Sequence, residues 1–143
     1  HKMAVACYMA GMAFSNAGLG LCHAMAHQIG ATYKTPHGAA NALLLPHIMR
    51  FNLLVRIERF ADIAHAIDEN FENLNKKDAA IKGIDSIAQM ICEIGLPTKL
   101  RDIGADKTHF PKLAENAMKD ITIKTNPRSA SIDDIIQIFE KAY

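Results

Sequence analysis

The chain has 143 residues, half of them hydrophobic, with 16 Lys and Arg against 15 Asp and Glu. It is long enough to bury a core, and a net charge of +1 gives no basis for a nucleic-acid partner held by phosphate contacts. Trp is absent, aromatics are 6% and Ala, Leu, Ile, Lys and Met dominate without the alternation of strands, so the composition predicts an all-α fold.

The first helix is predicted from Lys2 to about Ser15, ending near Asn16-Ala17-Gly18, and the second from about Leu19 to Thr32. All 15 acidic residues lie from Glu58 onward, and between Lys2 and Arg50 the only formally charged residue is Lys34. The front third is therefore built to be buried. Met3 to Tyr33 is long enough to span a membrane, but Ser15-Asn16, Gly18, Gly20, two histidines and Gln28 interrupt it, and it is rich in Ala and Gly. A buried helix pair fits better, with no membrane partner. Met3, Met9, Met12 and Phe14 need cover from a partner surface or from the rest of the domain. The opening on His1-Lys2 without an initiator Met, straight into this pattern, reads as a piece of a larger protein with no signal peptide.

His23 and His27 are four apart on the second helix, so both imidazoles share one face a turn apart. Thr35-Pro36-His37-Gly38 then reads as a helix start: Thr35 as N-cap, Pro36 at the first position, His37 on the first turn and Gly38 allowing close backbone approach. Two helices meeting there would join His37 to the His23/His27 face, and neutral imidazole is the commonest protein ligand for zinc and iron. The same spacing also arises from packed or solvated histidines, so both readings stand on spacing alone. His47 lies ten residues further along the helix, on a different face, and is a poorer candidate. Cys22 points about 100° away from His23 and reads as core. Cys7, Cys22 and Cys92 stand in no C-x-x-C spacing, which argues for a reducing, cytoplasmic setting.

The third helix should run from Pro36 to about Phe51, with Ala40, Leu43, Leu44, Ile48 and Phe51 inward and a kink at Pro46. Amphipathic surface helices follow. Ile57, Phe60, Ala64 and Ile67 form one stripe, with His65 beside it at the surface; Ala80, Ile84, Ile87, Ala88 and Ile91 form another that stops at Gly95-Leu96-Pro97. Asp102 to Phe110 is polar and turn-rich, Pro111 starts a helix to about Asp120, and Thr125-Asn126-Pro127-Arg128 is a loop. Ser131 to Asp134 resembles a capping box ahead of a last helix that buries Ile132, Ile135, Ile136 and Phe139. No repeat or linker divides residues 1–143, which read as one helical domain.

The run from Gly11 to His47, G-M-A-F-S-N-A-G-L-G-L-C-H-A-M-A-H-Q-I-G-A-T-Y-K-T-P-H-G-A-A-N-A-L-L-L-P-H, resembles the second signature of the iron-containing (group III) alcohol dehydrogenases. The resemblance continues through A-E-N-A-M-K-D, T-N-P-R and the closing I-I-x-I-F-E-K-A-Y. It implies the C-terminal helical half of a dehydroquinate synthase-like fold, with His23 and His37 as metal ligands. His27 would lie near the metal and the nicotinamide, assisting proton transfer.

A protein-held divalent ion takes about four ligands, and this stretch offers two or three and no carboxylate. The resemblance implies that an Asp and a further His come from a preceding segment, and that the NAD(P)-binding α/β domain is likewise outside this chain. Gly18-Leu19-Gly20 is too little for a dinucleotide fingerprint. The expected activity is NAD(P)-dependent interconversion of small alcohols and aldehydes with Fe(2+) or Zn2+, the isolated chain being inactive. Its partners would be the substrate, the missing N-terminal domain and, in an oligomer, further copies of itself. The other reading is a helical metal-binding or protein-interaction module without chemistry.

Overall fold

The computed structural model describes residues 1–143, apart from the side chains of Glu69 and Glu72. Among the described residues there are six α-helices, the last four joined by short 3-10 turns, and no strand: α1 (Lys2–Ala17), α2 (Gly20–Tyr33), α3 (His37–Ile67), α4 (Lys76–Glu93), α5 (Phe110–Lys119) and α6 (Ile132–Lys141). The all-α expectation holds.

The larger core forms where α2, the front of α3, α5 and α6 meet. Leu21, Met25 and Ile29 of α2 pack with Leu43, Leu44 and Ile48 of α3, Leu113 of α5 and Ile135 of α6. Phe110 stacks on Phe139 with ring centres 5.4 Å apart and meets Tyr143 edge-on at 6.0 Å. These are the apolar stripes expected from the 3.6-residue period. Ile132 on the first turn of α6 and Ile67 at the end of α3 are exceptions, left 41% and 37% exposed.

A second, smaller core holds Ala61 and Ala64 of α3 against Ala79 and Ala80 of α4. The two helices approach so closely here that a Cβ on Gly83 would lie 2.6 Å from the Ala64 Cβ. Only small residues permit that spacing.

Three expectations need correction. The break expected between the third and fourth helices falls at Arg56, with φ −143° and ψ 32°, rather than near Asn52, so α3 is two helices meeting at a kink, and Pro46, expected to kink the first of them, keeps helical geometry. Proline's fixed φ near −65° is compatible with a helix, and here its ring is buried in the core. Thr35 does not cap α3: Pro36 occupies the N-cap position, and the Thr35 hydroxyl is buried without a partner. Nothing lies within 4 Å of the position a Cβ on Gly38 would take.

Of the front third, α2 is buried and α1 is not. No residue of α1 is buried, and Met3, Tyr8, Met9 and Phe14 are all exposed, Met3 by 76%. At the Ala17–Gly20 break the chain bends by 109°, which carries α1 away from the core. No single described helix is long and apolar enough to cross a membrane.

The start of α2 is held by a loop more than a hundred residues away. Leu19 offers no side-chain cap. Instead the Gly20 N–H donates to Thr125 Oγ1 (3.2 Å) and the Leu21 N–H donates to Asn126 Oδ1 (3.2 Å). This approach explains the two glycines. Gly18 has φ +83° and Gly20 φ +75°, and a Cβ on Gly18 would stand 2.4 Å from Thr125 Oγ1. Gly18-Leu19-Gly20 thus receives a protein loop.

Asn126 also exchanges both amide hydrogen bonds with Asn52 of α3 (2.9 and 3.1 Å) and donates to the Arg128 carbonyl (2.6 Å). Arg128 in turn donates to the Phe51 carbonyl (2.8 Å) and stacks over the Phe51 ring at 3.9 Å. One side chain therefore joins α2, α3 and the loop. Asn126→Ala leaves the Leu21 N–H and both ends of the Asn52 amide without their partner, and is expected to cost about 2–4 kcal/mol. Chemical denaturation of the variant against the parent checks this.

Candidate functional site

The i, i+4 spacing on α2 puts His23 and His27 on one face, and the docking of α2 on α3 brings up His37, the first residue of α3. The three rings form a triangle, with centres 6.0 Å apart for His23–His27, 5.2 Å for His23–His37 and 5.5 Å for His27–His37. All three predicted site histidines are together.

A carboxylate joins them. His27 Nδ1 lies 2.7 Å from Asp120 Oδ2. Asp120 ends α5 and begins the Ile121–Thr125 turn, where its other oxygen, Oδ1, accepts from the Thr122 N–H (2.9 Å) and hydroxyl (2.7 Å). Burial pushes the Asp120 carboxyl up, but the hydrogen bonds from His27 and Thr122 outweigh it and hold the group below the ordinary carboxylate range. Asp120 is therefore ionised at neutral pH, and an ionised carboxylate only accepts, so His27 Nδ1 carries the hydrogen.

The histidine stretch itself contains no carboxylate, and Asp120 brings one to it from the end of α5. Asp-x-Thr at a helix end is an Asx-turn signal in the sequence, but its meeting with a histidine 93 residues away is a tertiary event.

Burial lowers the pKa of His23, and the neighbouring His37 and His27 lower it further, against weaker opposing pulls from Asp120 and the Leu19 backbone. His23 is thus neutral at pH 7 and keeps a lone pair. Its Nδ1 is buried without a hydrogen-bond partner, as are Thr35 Oγ1 and Asn41 Oδ1. Orphaned polar atoms are costly, and here two of them lie within four residues of His37. The Asn41 amide donates to the His37 carbonyl (3.0 Å) and to His37 Nε2 (3.2 Å), holding the ring at the start of α3.

A metal fits the His23/His37 pair. Two imidazoles bound to one ion with bonds of roughly 2.1 Å and near-tetrahedral angles have ring centres about 5 Å apart, and the pair stands at 5.2 Å. Coordination through His37 Nε2 requires the Asn41 contact to give way. Among the described residues no group of three or more His, Cys, Asp or Glu is arranged to hold a metal ion by itself. The pair by itself supplies two imidazoles, and the third histidine is tied to a carboxylate.

The remaining candidates lie elsewhere. His47 lines a separate cavity with Arg50, Arg128 and Lys141, and burial, then Arg50 and Lys141, lower its pKa. His109 is hydrogen-bonded to the Tyr33 hydroxyl at 3.0 Å. His65, expected at the surface, is half-buried with Nε2 unpartnered, because the Ala64 face of α3 packs against α4. Cys22 is buried core as expected. Burial pushes its thiol up to about 12, and its Sγ donates to the Asn41 carbonyl at 3.5 Å.

A family profile described as "Fe-containing alcohol dehydrogenase family, C-terminal" matches residues 1–143. The chain is 49% identical over 142 residues to the 1,3-propanediol dehydrogenase of Citrobacter freundii, covering 99% of this chain and 37% of that protein. It is 41% identical over 140 residues to the NAD-dependent methanol dehydrogenase of Bacillus methanolicus, covering 98% and 37%. Among solved structures, that of a 1,3-propanediol oxidoreductase superposes with a TM-score of 0.91 at 50% identity, over 94% of this chain and 35% of the other. The chain thus spans little more than a third of the length of the curated relatives it matches.

The packing around the site can be checked through its thiols. Cys7 and Cys92 are exposed and Cys22 is buried. At pH 8 a thiol reagent should label two cysteines at once, and the third only when denaturant opens the α2–α3 contact.

Proposed function

The chain belongs to the Fe-containing alcohol dehydrogenase family, and from that premise we propose that it is the helical, metal-binding part of an enzyme of about its relatives' length. That enzyme would interconvert small alcohols and aldehydes with NAD(P). The triangle formed by His23, His27 and His37 carries this reading, in a chain matched to the family from end to end.

His23 and His37 would hold the metal, Fe(2+) or Zn2+, with remaining ligands from outside this chain. His23 offers a neutral imidazole, and His37 an imidazole on the first turn of α3 whose Nε2 becomes available once Asn41 releases it. When bound, the metal supplies Lewis acidity toward the substrate oxygen and the nicotinamide exchanges hydride with the substrate carbon. His27, with its ring centre 5.5 Å from that of His37, would handle the proton. The Ala-rich core behind α2 and α3 keeps the three rings on a rigid wall.

Residues 1–143 would act as one unit, with the N-terminal part of the enzyme covering the exposed apolar side of α1 and holding most of the dinucleotide. Three free cysteines suit the cytoplasm. In the full-length enzyme, His23→Ala and His37→Ala should each lose bound metal by elemental analysis together with activity. His27→Ala should keep most of the metal while kcat falls by roughly 10²-fold or more. Metal loss in His27→Ala as complete as in His23→Ala would overturn this division of roles. The 143-residue chain alone should release metal to a chelator and show no turnover.

A further inference from the structure

Three features stand apart from the His23/His37 pair: the basic cavity beside His47, the exposed side of α1, and the paired carboxylate at His27. The third carries an inference, which rests on the reading of His27 as the proton-handling residue. We propose that Asp120, itself oriented by Thr122, is a positioning residue that selects the tautomer of His27.

The argument is one of donors and acceptors. Asp120 uses both carboxylate oxygens, Oδ2 for His27 Nδ1 at 2.7 Å and Oδ1 for the Thr122 N–H and hydroxyl at 2.9 and 2.7 Å. The Thr122 amide can only donate, so Oδ1 must be an acceptor in any side chain of this shape. A carboxylate meets that demand and still accepts from His27, leaving the Nε2 lone pair outward. In alcohol oxidation that lone pair takes the proton released by the substrate hydroxyl. The imidazolium so formed stays paired with Asp120, and in the reverse direction returns the proton to the product oxygen.

The Ile121–Thr125 turn keeps this carboxylate in place. The Thr125 hydroxyl donates to the Thr122 carbonyl at 3.0 Å and accepts from the Gly20 N–H, so the turn is tied to the first residue of the helix that carries His27. Asp120 and His27 are thus held at both ends, and the 2.7 Å contact is a built one.

Asp120→Asn is the discriminating substitution. Its amide oxygen must face the Thr122 donors, which turns the NH2 toward His27 Nδ1. Nδ1 then has to accept, and the hydrogen moves to Nε2, where it blocks the base. In the full-length metal-loaded enzyme, Asp120→Asn should lower kcat for alcohol oxidation by roughly 10²-fold. Metal content should stay at the parent value and KM for NAD(P) should change by less than about twofold. Nitrogen NMR of labelled histidine should show the His27 hydrogen on Nδ1 in the parent and on Nε2 in the variant.

Thr122→Val, which removes only the hydroxyl contact, should lower kcat by about tenfold, and Thr122→Ser should restore it. Unchanged kcat in Asp120→Asn, the hydrogen remaining on Nδ1, or equal kcat in Thr122→Val and Thr122→Ser would each overturn the inference. If His27→Ala loses rate and Asp120→Asn does not, only the role of Asp120 falls. If His27→Ala keeps full rate, the reading of His27 falls with it.

Discussion

The structure depends on how the first turn of α2 is satisfied. A helix start leaves four N–H groups without partners, and α2 begins at two glycines and a leucine, with no side chain of its own to cap them. Thr125 and Asn126 supply the acceptors from across the sequence. Because the same asparagine is bonded to Asn52 of α3, the cap also sets where α2 lies on α3. A local hydrogen-bonding need has become the joint that places His23 and His27 against His37.

Once that joint is made, the site follows with little further adjustment. The turn that provides Thr125 is the turn that Asp120 opens, so capping α2 and pairing His27 are consequences of one loop's position. The three imidazoles then differ by environment. His23 is half-buried and neutral with an orphaned nitrogen, His37 is steadied by Asn41 on its own helix, and His27 is tied to a carboxylate. Neighbours that push chemically identical side chains toward different protonation and bonding states are the usual way a protein divides labour between them.

The apolar character of the front third serves two surfaces. On α2 it fills the core, with Leu21, Ala24, Met25 and Ile29 out of contact with solvent. On α1 it stays outside, where methionines and aromatics make a face too apolar to be ordinary surface. The two helices are about equally apolar. What separates them is the 109° bend at Gly18, a residue whose positive φ and lack of a side chain let Thr125 close on the chain.

Much of this was legible in the letters. The helical class, the inward stripes of α4 and α6, the capping box at Ser131 and the shared face of His23 and His27 follow from the 3.6-residue period and from residues that act on their near neighbours. The T-P-H-G turn announced a helix start and placed His37 correctly, although Thr35 does not cap it. By itself the sequence determined those elements and the histidines they carry, because both are set within a turn or two of chain. Only the tertiary structure decided that α3 runs on through Pro46, that α1 stands clear, and that Asp120, Thr125 and Asn126 belong with α2. The last of these depends on donors and acceptors 93 to 105 residues apart, and no local pattern encodes which of them will meet.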